Sequence, residues 1–117
     1  MKEEKFKVIQ KVREFIIYVD KDLENFPRKY YEIKTKIRQD SYEILEILYE
    51  ANITYDKEER KRLLQKVVAK IKTIDFLIDF SREKELISNK KFLKIGLRLD
   101  DISRFITGWY KTINSGA

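Results

Sequence analysis

The stretch NKKFLKIGLRLDDISRFITGWYKTIN, residues 89–114, constrains the fold more than any other part of the chain. Phe92, Ile95, Leu99, Ile102, Ile106, Trp109 and Ile113 follow one another at intervals of 3, 4, 3, 4, 3 and 4, a heptad seam that includes the single tryptophan. An apolar stripe of this length is not stable as a lone helix in water; its stability has to come from packing against other helices. The remaining residues offer three.

The first is expected over about residues 4–24, with Ile9, Val12, Ile16, Val19, Leu23 and Phe26 as its seam and Phe6, Arg13 and Ile17 on another face. Pro27 cannot extend that helix but suits the start of the next, expected at 28–53. There Tyr30, Ile33, Ile37, Ser41, Ile44, Leu48 and Ala51 form the inward face, and Tyr31, Tyr42 and Tyr49 fall roughly opposite. A third helix is expected over 57–84. Its N-cap is Thr54 or Asp56, its seam Leu64, Val67, Ile71, Ile74, Ile78 and Ser81, and Leu63, Val68 and Leu77 widen the stripe. Ser88 or Asn89 caps the fourth, and residues 115–117 form a frayed tail. Short connections make neighbouring helices antiparallel, so the expected fold is all-α: one up-down-up-down four-helix-bundle domain over 1–117.

Composition agrees and excludes much else. Three glycines, one proline and 39% charged residues favour long amphipathic helices. The absence of cysteine removes disulfides, thiolate metal sites and cysteine nucleophiles. The absence of histidine removes the commonest general base and the Glu-x-x-His motif of metal-binding bundles. Glu43, Glu46 and Glu50 read as a solvated face or as partners of basic residues on the next helix. The chain is therefore expected to be no enzyme and to need no metal or cofactor. No apolar run nears the roughly 20 residues of a membrane span, and MKEEKFK lacks a signal-peptide core. A soluble, cytoplasmic protein with no membrane partner is the expectation.

The formal charge of +6 favours an anionic partner. The positive residues are uneven: residues 57–72 carry seven positive and two negative side chains, and residues 89–114 carry +4. Arg60, Lys61, Arg62, Lys66 and Lys70 on the third helix, with Lys91, Lys94, Arg98 and Arg104 on the fourth, are the candidate nucleic-acid contacts. Such stripes bind phosphates without choosing sequence, and the chain contains no zinc site, helix-turn-helix spacing or RNP-type aromatic pair with which to read bases. Apolar and aromatic residues off the seams, namely Phe6, Ile17, Tyr31, Tyr42, Tyr49 and Leu97, are the candidate oligomer interface.

Three segments, FPRKYYEIKTKI, EILEILYEAN and LISNKKFLKIGLRLDDISRFITGWYKTI, resemble the accessory variability determinant (Avd) proteins of diversity-generating retroelements. These belong to a wider four-helix-bundle family that includes proteins encoded in intervening sequences of bacterial 23S ribosomal RNA genes. The likeness runs from about Phe6 to Ile113. The last helix departs from the family's Ile-Gly-Arg and Gly-Gly-Trp, reading Ile102-Ser103-Arg104 and Thr107-Gly108-Trp109. The resemblance implies a basic, ring-shaped homopentamer with a central channel. It also implies binding to RNA or DNA and to the element's reverse transcriptase, as a non-enzymatic cofactor of mutagenic retrohoming. The alternatives are an intervening-sequence-type bundle, RNA-associated or of unknown role, and a purely structural helical oligomer that binds proteins.

Overall fold

The computed structural model describes residues 2–114, the side chains of residues 2–4, 6 and 114 excepted; the expected frayed tail lies outside the described residues. Four helices carry the fold: α1 (Lys2–Asp22), α2 (Tyr31–Ile53), α3 (Lys57–Glu83) and α4 (Asn89–Asn114). None among the described residues is long and apolar enough to cross a membrane.

Side-chain capping sets several boundaries. Asp56 accepts the Glu59 backbone N–H at 2.8 Å and so opens α3, while the Thr54 hydroxyl instead donates to the Glu50 carbonyl at 2.7 Å and finishes α2. Ser88 accepts the Lys91 N–H at 3.1 Å at the start of α4. Between α3 and α4 the chain reverses through Glu85 at φ 59, and the Leu86 N–H returns to the Ser81 carbonyl at 2.8 Å, the Schellman arrangement. The expected limits shift most at the junction of α1 and α2. α1 ends at Asp22 rather than Glu24, and Arg28–Tyr30 form a 3-10 turn, so α2 starts at Tyr31. The cause is Pro27: at ψ 145 it is extended, and its carbonyl takes the Tyr30 N–H in a tight turn first.

Each helix packs on its neighbours in sequence, α1 packs also on α4, and neither α1 and α3 nor α2 and α4 come close. The helices therefore stand at the corners of a square. The molecule measures 47 × 22 × 20 Å, and α3 alone, with 27 residues, spans about 40 Å at roughly 1.5 Å per residue. Every helix thus lines one continuous core.

That core contains the α4 seam from Ile95 to Ile113, with Trp109 only 1% exposed; Phe92 is half-buried, with Arg82 4.4 Å from its ring. It also takes Val8 and Phe15 of α1, and Ile47 of α2, none of them in the expected seams, while Ile16 stays half-buried. A corner helix touches two neighbours, so its apolar stripe is broader than the two positions per heptad of a coiled-coil seam. Ser41 and Ser81 are buried with their hydroxyls donating to the carbonyls of Ile37 and Leu77, both at 2.7 Å, which satisfies them within their own helices.

Candidate nucleic-acid interface

Where the cations of α3 point follows from the register of its buried stripe. Arg62 and Lys66 face solvent. Arg62 pairs with Glu59 one turn back and holds that carboxyl below its ordinary range by hydrogen bond and charge. Lys61 lies 3.7 Å from Glu58. Lys70 reaches across to α2, donating to Glu43 at 2.9 Å and lying 3.8 Å from Asp40, a carboxylate only 1% exposed that also takes Lys36 at 2.9 Å. The hydrogen bond from Lys70 keeps the Glu43 carboxyl below its ordinary range. Of the run Arg62, Lys66, Lys70, only Lys66 makes no ion pair among the described residues, though its charge also helps hold Glu59 below its ordinary range.

On α4 the cations turn toward α1. Lys91 donates to the Asp22 carbonyl at 3.4 Å, and Lys94 lies 4.0 Å from the Asp22 carboxylate. The Arg98 guanidinium stacks 3.8 Å from the Tyr18 ring. Arg104 pairs with Asp101, which also meets Lys11 at 3.6 Å; Arg104 is the main reason the Asp101 carboxyl is held below its ordinary range.

The two expected stripes do not merge. Gln65 donates to the Tyr110 hydroxyl at 3.2 Å, which sets the start of α3 beside the end of α4. The contacts of Lys91 and Lys94 with Asp22 set the start of α4 beside the end of α1. The stripes thus lie toward opposite ends of the bundle.

The end that holds the start of α3 has a further basic group. Lys5, Lys57 and Arg60 line a cavity of about 390 Å³ together with Asn52 and Tyr55. Only Arg60 among these stood out in the sequence. A usable signal was there: Lys57, Arg60, Leu64 and Val67 are spaced 3, 4 and 3, so two cations occupy seam register.

Of the candidate interface residues, Ile17 and Leu97 are 69% and 68% exposed, and Tyr31, Tyr42 and Tyr49 are exposed on α2. The side chain of Phe6 lies outside the described residues. Phe76 and Leu93 are equally bare and were not foreseen. Both sit off their seams, which is the pattern that singled out Leu97.

A family model described as bAvd-like matches residues 6–113, nearly the whole length of all four helices. The chain belongs to the bAvd-like family. No curated protein matches it. The matched region of this bAvd-like chain contains both basic runs and every exposed apolar residue named above.

Proposed function

We propose that this protein is the non-enzymatic accessory protein of a diversity-generating retroelement. In this reading it acts in the cytoplasm, binds template RNA or cDNA through phosphate contacts, and binds the element's reverse transcriptase in support of mutagenic retrohoming. The observation that carries this reading is membership of the bAvd-like family over residues 6–113. The net charge of +6, and Arg60 and Lys66, which make no ion pair among the described residues, support an anionic partner. The polymerase chemistry belongs to the partner enzyme.

The helices are read as antiparallel, in up-down-up-down order. Support comes from the contacts of α1 with α4, where Lys5 meets Trp109, Lys11 meets Asp101 and Asp22 meets Lys94, so numbers rise on one helix as they fall on the other. We further read the protein as a ring-like homo-oligomer, a pentamer by its resemblance. Ile17, Tyr42 and Tyr49 are bare on α1 and α2, and Phe76, Leu93 and Leu97 on α3 and α4. Bare apolar patches of different composition suit a head-to-tail contact, the kind that closes rings.

The test is co-purification with the reverse transcriptase encoded beside its gene, with nucleic-acid affinity measured over a salt series. The reading expects a stable complex and an affinity that falls steeply with salt. Absence of a neighbouring reverse transcriptase and of template and variable repeats overturns it. A second reading, a structural oligomer that binds only proteins, is favoured by one observation. Lys61, Arg62, Lys70, Lys91, Lys94, Arg98 and Arg104 are all engaged within the chain. No nucleic-acid binding at low salt selects it.

A further inference from the structure

A charge in seam register faces the axis of a bundle, where an apolar residue is the stable choice. At one end of this molecule three cations lie in that register, Lys5 and Arg60 half-buried and Lys57 exposed. Lys5 precedes Val8 and Ile9 of the α1 core by one turn, and Lys57 and Arg60 continue the line of Leu64 and Val67 on α3. All three line the same cavity, and no carboxylate lines it among the described side chains. None of them has an ion-pair partner among the described residues. The nearby acids with described side chains on α3 and its cap are committed elsewhere: Asp56 to the Glu59 N–H, Glu58 to Lys61, and Glu59 to Arg62. The Arg60 Nε is out of contact with solvent and has no hydrogen-bond acceptor. Three like charges about one cavity, one of them carrying an unfilled buried donor, favour an anion between them. Beside them on the rim, Tyr55 is 99% exposed, an aromatic ring held out from the short connection between α2 and α3.

We propose that this end of the bundle is a phosphate site, in which a phosphodiester of a single-stranded nucleic acid sits between Lys5, Lys57 and Arg60 and an adjoining base stacks on Tyr55. Two lysines and a guanidinium supply charge and donors for phosphate oxygens. A fully exposed ring offers a face to an unstacked base, which a duplex does not present. This deepens the nucleic-acid part of the proposed function and rests on it for the source of the phosphate; a mononucleotide or inorganic phosphate carries the same chemistry.

The experiment titrates the protein with inorganic phosphate, thymidine monophosphate and a short oligo(dT). It follows backbone amide shifts of residues 52–60 and the emission of Trp109, whose ring lies 5.8 Å from the Lys5 Nζ. The variant K5Q/K57Q/R60Q is compared with K21Q/K72Q/K90Q, which removes three exposed cations outside the candidate contacts, and with Tyr55→Ala. Lys57→Gln alone, at an exposed first-turn position, serves if the triple variant loses helicity. Oligonucleotide affinity is expected to drop about tenfold or more in the end variant and less than about threefold in the control. Tyr55→Ala is expected to cost the oligonucleotide about tenfold and inorganic phosphate nothing. Equal losses in both triple variants, or no response to any of the three ligands, overturn the site. Oligonucleotide binding with residues 52–60 unmoved overturns it too, and leaves the proposed function standing. Phosphate or thymidine monophosphate shifting those amides without oligonucleotide binding upholds the site and overturns the nucleic-acid part of the proposed function.

Discussion

Trp109 is the largest fully buried side chain, yet its indole N–H has no hydrogen-bond acceptor. Replacing it with alanine and with phenylalanine separates those two facts. Trp109→Ala opens a large cavity near the C-terminal end of the α4 seam and is expected to cost about 3–5 kcal/mol. Against a total of about 5–15 kcal/mol, that leaves the variant near its threshold. Trp109→Phe leaves a void of roughly 40 Å³, about 1 kcal/mol at roughly 24 cal/mol per Å³, plus about 1 kcal/mol of lost transfer energy. It also relieves the buried, unpaired donor, which is worth about 1–3 kcal/mol in the opposite direction. The net expectation for phenylalanine is within about 1 kcal/mol of wild type by this arithmetic. Urea unfolding followed by circular dichroism at 222 nm measures both, since the fluorophore itself is removed. With a slope of about 2 kcal/mol/M, alanine lowers the midpoint by about 2 M and phenylalanine by less than about 0.5 M. A phenylalanine variant as unstable as the alanine one refutes the reasoning, because it means the indole N–H is satisfied or the ring's shape outweighs everything else.

Three further outcomes follow from local geometry. The carboxyls of Glu43, Glu59 and Asp101 are held below their ordinary range chiefly by Lys70, Arg62 and Arg104 respectively. A folded value below the unfolded one means their stabilisation is complete above about pH 4 to 5 and is lost as pH falls through the lower folded values. Melting temperature should therefore fall on acidification below that range, less steeply for Glu43→Gln; a rise contradicts it. Glu85 sits at φ 59, so Glu85→Gly should raise unfolding free energy by about 1 kcal/mol in denaturant titration. Asp56→Ala removes the cap that accepts the Glu59 N–H and should lower it by about 1 kcal/mol, with Asp56→Ser restoring most of the loss.

The sequence alone determined the number of helices and most of their core-facing residues, and narrowed the caps of α3 and α4 to two residues each, of which Asp56 and Ser88 do the capping. Each of these depends on residues within a turn or two of one another, where helix geometry fixes the relation. Even the width of the stripes needed the tertiary structure, since Val8, Phe15 and Ile47 are buried only because each helix has two neighbours. The fate of the cations was likewise decided there. Lys66 and Lys70 look alike along α3, but α2 presents Glu43 and Asp40 to Lys70, while Lys66 makes no ion pair across to α2 among the described residues. Lys91, Lys94 and Arg98 read as a free stripe until α1 brings Asp22 and Tyr18 against them. Conversely Lys5, Tyr55, Lys57 and Arg60 become one site only when the start of α1 and the junction of α2 with α3 share an end of the bundle. The physical reason is the same throughout: spacing sets which side chains share a face of one helix, while packing sets what each face meets.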